Sequence, residues 1–359
     1  PLKNKNSFLK SYKNLKVLVT GTTGFKGSWL AFWLQQLGAK VIGVSLKPER
    51  DAILFNNLEL KKRIKQYFLD IRNFKKLNYI VKKEKPDIIF HLAAQSIVSE
   101  SFKNPLSTFQ TNVLGSTNIL ECYRINNISK LVFITSDKCY LNLDKNKNYK
   151  ETDILGGLDN YSSSKASAEL IFSSYFNSYF KNKDYLSTVS ARAGNVIGGG
   201  DMKINRIVPD IIKSLFNNES LILRNPKATR PWQHVLEPLS GYLLLGHKIL
   251  HKKLNNRLLP SWNFGPETKN CKSVGEISRK VINSWGKINH RIKIDKKNLY
   301  HESKLLSLNI QKAKKELKWQ PRLDLKDTVK FTVDWYKNYL NDQDMVKFTK
   351  EQIQEYLDN

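Results

Sequence analysis

The stretch LKVLVTGTTGFKGSWL, residues 15–30, decides the fold. LKVLVT (15–20) is a run of apolar and β-branched residues typical of a buried strand, and a segment with apolar residues at helical spacing follows it. Between the two stand Gly21, Gly24 and Gly27. A dinucleotide site needs such glycines for a tight turn, for close approach of the backbone to a pyrophosphate and for close helix–strand packing. The triplet therefore predicts a nucleotide site, with a glycine-rich structural turn as the alternative.

Downstream of this stretch, short apolar runs alternate with longer helical patterns. Such alternation predicts parallel strands joined by right-handed crossovers, an α/β fold with a Rossmann-like doubly wound parallel sheet. The predicted strands are 15–20, 40–45, 64–70, 86–94, 130–136 and 186–193. The predicted helices are 24–37, 105–126, 161–179, 236–252, 274–286, 310–317 and 326–340.

After residue 192 the sequence becomes glycine-rich and turn-rich, which predicts a smaller C-terminal substrate-binding lobe. We expect this lobe over the carboxyl edge of the sheet, where ligands of open α/β sheets bind. The predicted Rossmann domain comprises residues 1–192, and the chain is expected to come back to this domain over about residues 229–264. The predicted lobe comprises residues 193–228 and 265–359.

Composition narrows the class of function. The 359 residues carry a net charge of +28, but the lysines are scattered among asparagines without a recognition-helix, zinc-finger or RNP-type pattern. We therefore interpret the lysines as a solvated basic surface and not as a binding site for nucleic acid. The excess of positive charge would also suit a substrate with a dianionic diphosphate. Three widely spaced cysteines argue against a disulfide framework or a metal site. With no apolar signal-peptide core and no stretch near the roughly 20 apolar residues of a membrane helix, a cytoplasmic enzyme without a membrane partner is predicted.

Two segments carry the chemistry. Tyr161 and Lys165 in YSSSK lie four residues apart, on one face of a helix. A nearby ammonium lowers the pKa of a tyrosine, and the phenolate can then take a hydroxyl proton while hydride departs to a nicotinamide. In TSDKCY, at the end of the fifth predicted strand, Ser136 can relay that proton. Asp137 and Lys138 add an acid–base pair that alcohol oxidation does not need, which indicates a second step such as elimination; the alternative is a turn ion pair.

These motifs resemble the extended short-chain dehydrogenase/reductase family, and within it the sugar-nucleotide 4,6-dehydratases. Asp-Lys-Cys-Tyr after the serine, together with TGFKGSWL, RAGNVIGGGD (192–201), RPWQHVLEPLSGYLLL (230–245) and WNFGP (262–266), resembles the CDP-glucose branch of that family. The resemblance runs over nearly the whole chain from about residue 13. It implies NAD as the cofactor and CDP-glucose as the nucleotide-diphosphate sugar. It also implies a reaction that oxidises C4, eliminates water across C5 and C6 and returns hydride to C6.

The resemblance also implies roles for single residues. Lys165 would hold the nicotinamide ribose, Lys138 or Asp137 would remove the C5 proton, and protonated Asp137 would assist loss of the C6 hydroxyl. The expected cofactor contacts are Gly21, Gly24, Phe25, Gly27, Asp70, Ile71, Leu92, Ala93, Ala94, Gln95, Tyr161 and Lys165. The expected substrate contacts are Arg192, Asn195, Arg230, His234 and Glu302. Of these, Arg192 and His234 could equally be structural, and Glu302 could be a solvated acidic residue.

Several alternatives stay open. Ser45-Leu46-Lys47 stands where NAD-selective sites place Asp or Glu, so NADP is an alternative cofactor. Competing functions are an epimerase, a dehydratase of GDP- or dTDP-sugars, a nucleotide-sensing module and a basic RNA-binding protein. In this family the helix pair corresponding to 105–126 and 161–179 forms a four-helix bundle across a dimer, so a homodimer or a tetramer is expected. The alternative is that the apolar residues of these helices all face the sheet: Leu114, Ile119, Leu120, Leu170, Ile171, Phe172 and Tyr175.

Overall fold

The computed structural model describes residues 7–143, 147–181, 186–254, 259–267, 270–295 and 306–359. Its strands are, in chain order, β1 (Lys16–Thr20), β2 (Lys40–Ser45), β3 (Lys65–Phe68), β4 (Ile88–His91), β5 (Lys130–Ile134), β6 (Asn148–Tyr149), β7 (Thr188–Ala193), β8 (Val196–Ile197), β9 (Leu221–Leu223), β10 (Thr229–Pro231), β11 (Gln233–His234), β12 (Ser261–Phe264), β13 (Cys271–Ser273), β14 (Ile292–Ile294) and β15 (Ser307–Leu308). Its α-helices are α1 (Phe25–Gln36), α2 (Ile53–Asn57), α3 (Leu60–Arg63), α4 (Phe74–Glu84), α5 (Val98–Lys103), α6 (Pro105–Phe109), α7 (Ser116–Ile125), α8 (Asn160–Tyr175), α9 (Ile207–Phe216), α10 (Leu236–Leu250), α11 (Val274–Trp285), α12 (Leu325–Leu340) and α13 (Met345–Asp358). Shorter 3-10 and π-helical segments are Ser7–Tyr12, Gln110–Gly115, Asp137–Cys139, Phe176–Phe180 and Ala313–Leu317.

Seven of these strands form one sheet in the order β12-β7-β5-β4-β1-β2-β3, and every pairing in it is parallel. The chain winds outward from β1 through β2 and β3, and then in the other direction through β4, β5 and β7. The order therefore reverses between β1 and β4, and ligands of open α/β sheets bind at the carboxyl ends of such a strand pair. The predicted Rossmann-like fold is confirmed. β12, which the sequence did not predict as a strand, extends the sheet beside β7.

Helix α1 lies against this sheet and is covered on its outer face as well. Its segment 29–34 is at most 1% exposed. The ring of Trp33 packs edge-on against Tyr356 of α13, and Nε1 of Trp29 donates a hydrogen bond of 3.0 Å to the carbonyl of Gly199. A helix that is apolar on every face must be buried on every face. Helix α13, which the sequence did not predict, supplies the cover.

Helices α9 and α11 pack together with the strand pairs β9–β14 and β10–β13, and we call this part of the molecule the lobe. β10 belongs to it through its pairing with β13, although the segment 229–264 was expected in the sheet domain. Helix α11 begins with a capping box, in which Oγ of Ser273 accepts from the backbone of Glu276 and the Glu276 carboxylate accepts from the backbone of Ser273. It ends at Gly286, which has a φ of +92°. No helix in the described ranges is long and apolar enough to cross a bilayer.

Candidate active site

A cleft of about 770 Å³ opens at the carboxyl edge of the sheet. One wall is the glycine-rich loop after β1 with the ends of β2, β4 and β5, and the other wall comes from the lobe, including Arg206, Arg224 and Trp232. Its volume lies in the range of small-molecule and cofactor sites. The cleft therefore lies at the carboxyl edge of the sheet, where strand order reverses between β1 and β4, and both the sheet and the lobe line it.

The glycine-rich loop has the shape that a dinucleotide requires. Gly21 has a φ of +81°, and a Cβ atom there would lie 3.0 Å from the backbone of Ala93. A Cβ at Gly27 would lie 1.9 Å from the carbonyl oxygen of Gly21, so α1 can pack this closely only with glycine. At Gly24 the nearest protein atom would be 3.3 Å away, and this residue caps α1 without a side-chain hydrogen bond. The first N–H groups of α1 thus face the cleft, where they suit a pyrophosphate.

Buried polar residues align the strand ends that continue this wall. The hydroxyl of Thr20 accepts hydrogen bonds from the N–H groups of Leu92 and Ala93, so its own proton is donated to Nδ1 of His91 at 2.8 Å. Burial lowers the pKa of His91 to about 3. The ring is therefore neutral, and Nε2 donates to Oγ of Ser116 at 3.1 Å. This network fixes the backbone of the Leu92–Ala93 segment, which lines the cleft.

The remaining predicted cofactor residues also line the cleft: Phe25, Asp70, Ile71, Ala94 and Gln95. An ion pair of 2.6 Å with Arg72 holds the pKa of Asp70 below its usual range. Gln95 is held by Asn112, whose side chain accepts from the Gln95 N–H at 2.8 Å and donates to Oγ of Ser164 at 2.9 Å. Sequence reasoning missed Asn112. Its π-helical turn, a geometry common at functional sites, cannot be recognised from residue types.

Ser136, Tyr161 and Lys165 meet on the cleft wall. The hydroxyl of Ser136 lies beside that of Tyr161, and Nζ of Lys165 lies 5.9 Å from the centre of the Tyr161 ring. Burial raises the pKa of Tyr161 to about 12, opposite to the predicted direction, because loss of hydration outweighs the lowering effect of the Ser136 hydroxyl. Burial, together with nearby Lys26, lowers the pKa of Lys165 to about 8.

Asp137 and Lys138 begin the short 3-10 turn next to this trio. Oγ of Ser136 donates to Oδ1 of Asp137 at 3.0 Å, while Oδ2 has no hydrogen-bond partner within the described part of the chain. Burial raises the pKa of Asp137 above its usual range, although the charges of Lys138, Lys26 and Arg230 lower it. A buried carboxyl of this kind favours its protonated form, as a general acid must.

The predicted substrate residues divide into three groups. Asn195 and Arg230 lie on the cleft wall. Arg192 does not: it is buried behind the wall and paired with Glu169 at 2.8 Å. His234 is also buried away from the cleft, between the rings of Trp29 and Phe331, so both expected substrate contacts are corrected to interior residues. Glu302 lies outside the described residues.

Lys26 and Arg206 are among the cationic residues of the cleft that sequence reasoning missed. Lys26 stands inside GTTGFKG, and burial lowers its pKa to about 8. Arg206, at the start of α9, pairs with Asp201 at 2.8 Å and donates to Oγ of Ser96 at 2.8 Å. Lys26 could have been noticed because a charged residue is unusual between two packing glycines. Arg206 had no such signal, because its position depends on how the lobe folds over the sheet.

Known proteins resemble this chain over most of its length. Residues 18–332 match the family model described as GDP-mannose 4,6 dehydratase. A CDP-glucose 4,6-dehydratase of Salmonella typhimurium is 40% identical over 351 residues, which are 96% of this chain and 97% of the relative. A UDP-glucose 4-epimerase of Mycoplasma genitalium is 26% identical over 91% of this chain and 98% of the relative.

Solved structures support the same fold. The dTDP-glucose 4,6-dehydratase DesIV of Streptomyces venezuelae, solved with NAD and TYD bound, superposes with a TM-score of 0.78 at 21% identity. The match covers 92% of this chain and 99% of that one. The family match and the relative at 40% identity decide the membership: the chain belongs to the GDP-mannose 4,6 dehydratase family, among the sugar-nucleotide dehydratases of the extended short-chain dehydrogenases/reductases.

Proposed function

We propose that this enzyme dehydrates CDP-glucose to CDP-4-keto-6-deoxyglucose with bound NAD, a step suited to deoxysugar biosynthesis. The observation that carries the proposal is the Asp137–Lys138 pair on the same cleft wall as Ser136, Tyr161 and Lys165. The relative at 40% identity is named for this reaction. NAD, when bound, supplies a hydride acceptor at C4 and a hydride donor at C6.

The first step needs a base at the C4 hydroxyl. Tyr161 takes this proton, directly or through the hydroxyl of Ser136 beside it. Lys165 holds the cofactor ribose and supports Tyr161 with positive charge. Tyr161 can accept the proton only as the phenolate, and burial raises its pKa to about 12, so the positive charge of Lys165 has to favour the phenolate.

The second step removes water. The C4 ketone acidifies the C5 proton, which Lys138 or Asp137 removes, and the C6 hydroxyl leaves as water with a proton from Asp137. The raised pKa of Asp137 supports its role as the acid. Lys26, Arg206 and Arg230 give the same cleft a positive surface suited to the substrate diphosphate, with Asn195 as a further polar contact.

Mass spectrometry of the product tests this function. The protein is incubated with NAD and, separately, with CDP-glucose, dTDP-glucose and GDP-mannose. A 4,6-dehydratase releases a nucleotide sugar lighter by one water, and we expect this with CDP-glucose. A product of unchanged mass would indicate an epimerase, and a substrate bound without turnover would indicate a nucleotide-sensing module. Loss of water from only the dTDP- or GDP-sugar would assign the enzyme to another branch.

We further propose that the enzyme is a cytoplasmic homodimer, with a tetramer as the alternative. Support for the dimer comes from three leucines on the adjacent helices α6, α8 and the π-helical turn that follows α6. Leu106 is 71% exposed, and Leu114 and Leu170 are each 57% exposed. Ile119 and Leu120 of α7 and Phe172 of α8 are buried, as the alternative expects of them, so the proposed interface rests on the exposed leucines alone.

A further inference from the structure

A buried polar network lies directly behind the catalytic groups, centred on Glu169 and Arg192. Glu169 is 1% and Arg192 is 3% exposed, and Nη2 of Arg192 lies 2.8 Å from Oε2 of Glu169. Neither side chain belongs to the cleft wall that the described residues form. The pair therefore cannot act by touching substrate or cofactor.

Glu169 connects three elements that carry site residues. It lies one helical turn beyond Lys165 on α8, in line with it along the helix. Its Oε1 accepts a hydrogen bond from Oγ1 of Thr135, the residue between β5 and Ser136. Its Oε2 accepts a bond of 3.1 Å from Ser190 of β7. One carboxylate thus ties α8 to the end of β5 and to the neighbouring strand β7.

Arg192 extends the network to the far end of the catalytic turn. Its Nη1 donates to the hydroxyl of Tyr140 at 2.9 Å and to the carbonyl of Glu151 at 3.2 Å. The Tyr140 hydroxyl donates in turn to Oδ1 of Asn263 at 2.7 Å, on β12. Thr135 and Tyr140 are the first and last residues of TSDKCY. The same ion pair therefore holds this segment at both ends.

Stability alone does not account for such a pair. Removing two charges from water carries a large desolvation penalty, and apolar replacements of buried pairs are often neutral or stabilising. Unlike apolar residues, a carboxylate and a guanidinium form directional hydrogen bonds. The planar guanidinium of arginine can fix the positions of several acceptors at once. The bonds of this network are aimed at the turn and the helix that carry the chemistry.

We propose that the Glu169–Arg192 pair holds the TSDKCY segment and α8 in a fixed relative position, so that the hydroxyls of Ser136 and Tyr161 lie side by side. The inference rests on the proposed function for the reaction that it affects. A displacement of about 1 Å in such a constellation can lower turnover about a hundredfold. Glu169 and Arg192 are therefore positioning residues, and their loss is expected to reduce kcat rather than substrate affinity.

The test compares two buried carboxylates. Glu237 is also 1% exposed, and it accepts hydrogen bonds from the N–H of Leu323 at 2.7 Å and the hydroxyl of Tyr356 at 2.9 Å, away from the cleft. Both Glu169→Gln and Glu237→Gln are expected to lower Tm. Only Glu169→Gln is expected to lower kcat about a hundredfold, with KM and the Kd for NAD changed by less than roughly threefold.

Hydrogen exchange of the protein without substrate or cofactor gives a second measurement. In Glu169→Gln we expect faster exchange of the backbone amides of 135–140 and 161–169, whereas Glu237→Gln should leave them unchanged. Arg192→Lys keeps the charge but cannot reach Glu169 and Tyr140 together, so kcat should fall with little change in Tm. If Glu169→Gln does not fold, Arg192→Lys is compared with Glu237→Gln in its place.

Two results would overturn the proposal: equal kcat in the two glutamate variants at a temperature where both are folded, or unchanged exchange in the catalytic segments. A wild-type protein that releases no dehydrated product would instead contradict the proposed function. The exchange comparison would still decide whether Glu169 positions these segments, so the two failures can be told apart.

Discussion

Burial sets the proton affinities of the cleft residue by residue. It raises the pKa of Asp137, raises that of Tyr161 to about 12 and lowers those of Lys165 and Lys26 to about 8. In each case the charged form loses hydration. Sequence analysis placed Asp137, Tyr161 and Lys165 together but missed Lys26. It also predicted the wrong direction for the pKa of Tyr161, because hydration depends on how completely the folded chain surrounds a side chain.

The division of labour between the two chemical steps leads to a prediction for Lys138. Lys138→Ala is expected to bind substrate and NAD and to oxidise C4, but to stall before water is lost. Rapid mixing should show a burst of enzyme-bound NADH, with formation of the 4-keto-6-deoxy product reduced about 10²–10⁴-fold, the usual contribution of a general base. Deuterium exchange at C5 should be suppressed as well. Lys350→Ala, on an exposed position of α13, is the matched control and should behave as wild type.

Near-normal dehydration by Lys138→Ala would contradict the assignment of Lys138 as the base and leave Asp137 or water in that role. A loss of stability without a burst would indicate a turn ion pair. Tyr161→Phe tests the first step, the oxidation of C4: it should abolish the NADH burst together with all product.

Lys165 provides a prediction on pH and stability. Its pKa of about 8 in the folded protein lies below the ordinary 10.5, so folding penalises the protonated form. Below pH 8 the full penalty applies, and it shrinks as pH rises from about 8 to about 10.5. Lys165→Met should therefore be inactive but more stable than wild type at pH 7, by on the order of 2 kcal/mol, with a smaller advantage at pH 9.5. Denaturant unfolding at both pH values measures this, and a variant less stable at pH 7 would contradict it.

At the scale of elements, the hydrophobic pattern predicted most of the structure. The six predicted strands all occur in the sheet, and the helices that flank the cleft lie close to their predicted positions. Prediction failed where a contact distant in sequence decides the outcome. β12 is four residues long and is recognisable only because it pairs with β7. Helix α13, in contrast, does have a signal in the sequence, a capping Asp344 followed by buried residues at helical spacing, which the prediction did not use.

The two corrected substrate residues show the same limit. Arg192 lies inside β7, a strand covered on both faces as parallel strands are, and its side chain is bonded to Glu169 and Tyr140 in the interior and does not line the cleft. Asn195 follows the end of β7 and does line the cleft. His234 lies in the short strand β11, beneath Trp29. Position relative to the strand end, and not the type of residue, decides which side chains face the ligand.

The N-terminus of α1 leads to a prediction about the cofactor. Gly24→Val adds a branched side chain where the nearest protein atom is 3.3 Å from the new Cβ, so the fold should survive. The side chain would occupy the space in which the pyrophosphate has to lie, and the Kd for NAD should rise at least about tenfold, which is about 1.4 kcal/mol. Calorimetry measures the affinity, and thermal unfolding measures the fold.

Gly275→Val is the matched control, because its Cβ would also lie 3.3 Å from the nearest atom, a carbonyl oxygen, and it too stands in the first turn of a helix. Its Kd for NAD should be that of wild type. Equal affinity in the Gly24 and Gly275 variants would show that the pyrophosphate lies elsewhere. A wild-type preference for NADP would mean that Ser45 and Lys47 determine cofactor choice.

At the scale of the whole molecule, contacts across the cleft hold the lobe to the sheet domain. Lys203, on the loop after β8, pairs with Glu49 and with Asp51, the latter at 3.1 Å, on the loop after β2. Arg206 reaches Ser96 in the same way. The cleft is therefore bordered by ion pairs on one side, while the exposed leucines of α6 and α8 lie on the outer surface of the sheet domain.

These leucines lead to the prediction of a dimer. Stable interfaces bury about 1,600 Å² in total around an apolar centre, and a twofold interface presents each residue twice. Light scattering at micromolar concentration should therefore give the mass of two chains or of four. Leu114→Glu combined with Leu170→Glu brings four carboxylates into one interface, at a cost of several kcal/mol, and should give monomers.

The matched control for this double variant is Ile288→Glu, which also replaces an exposed apolar residue but lies after α11 on the lobe and is 76% exposed. It should keep the mass of wild type. A wild-type monomer, or a Leu114→Glu/Leu170→Glu variant that still has the wild-type mass, would contradict the proposed interface. Because α8 carries Tyr161 and Lys165, a monomeric variant should also lose part of its turnover, whereas Ile288→Glu should lose none. Turnover that is independent of the dimer would mean that α8 is held in place within a single chain, by the Glu169–Arg192 pair.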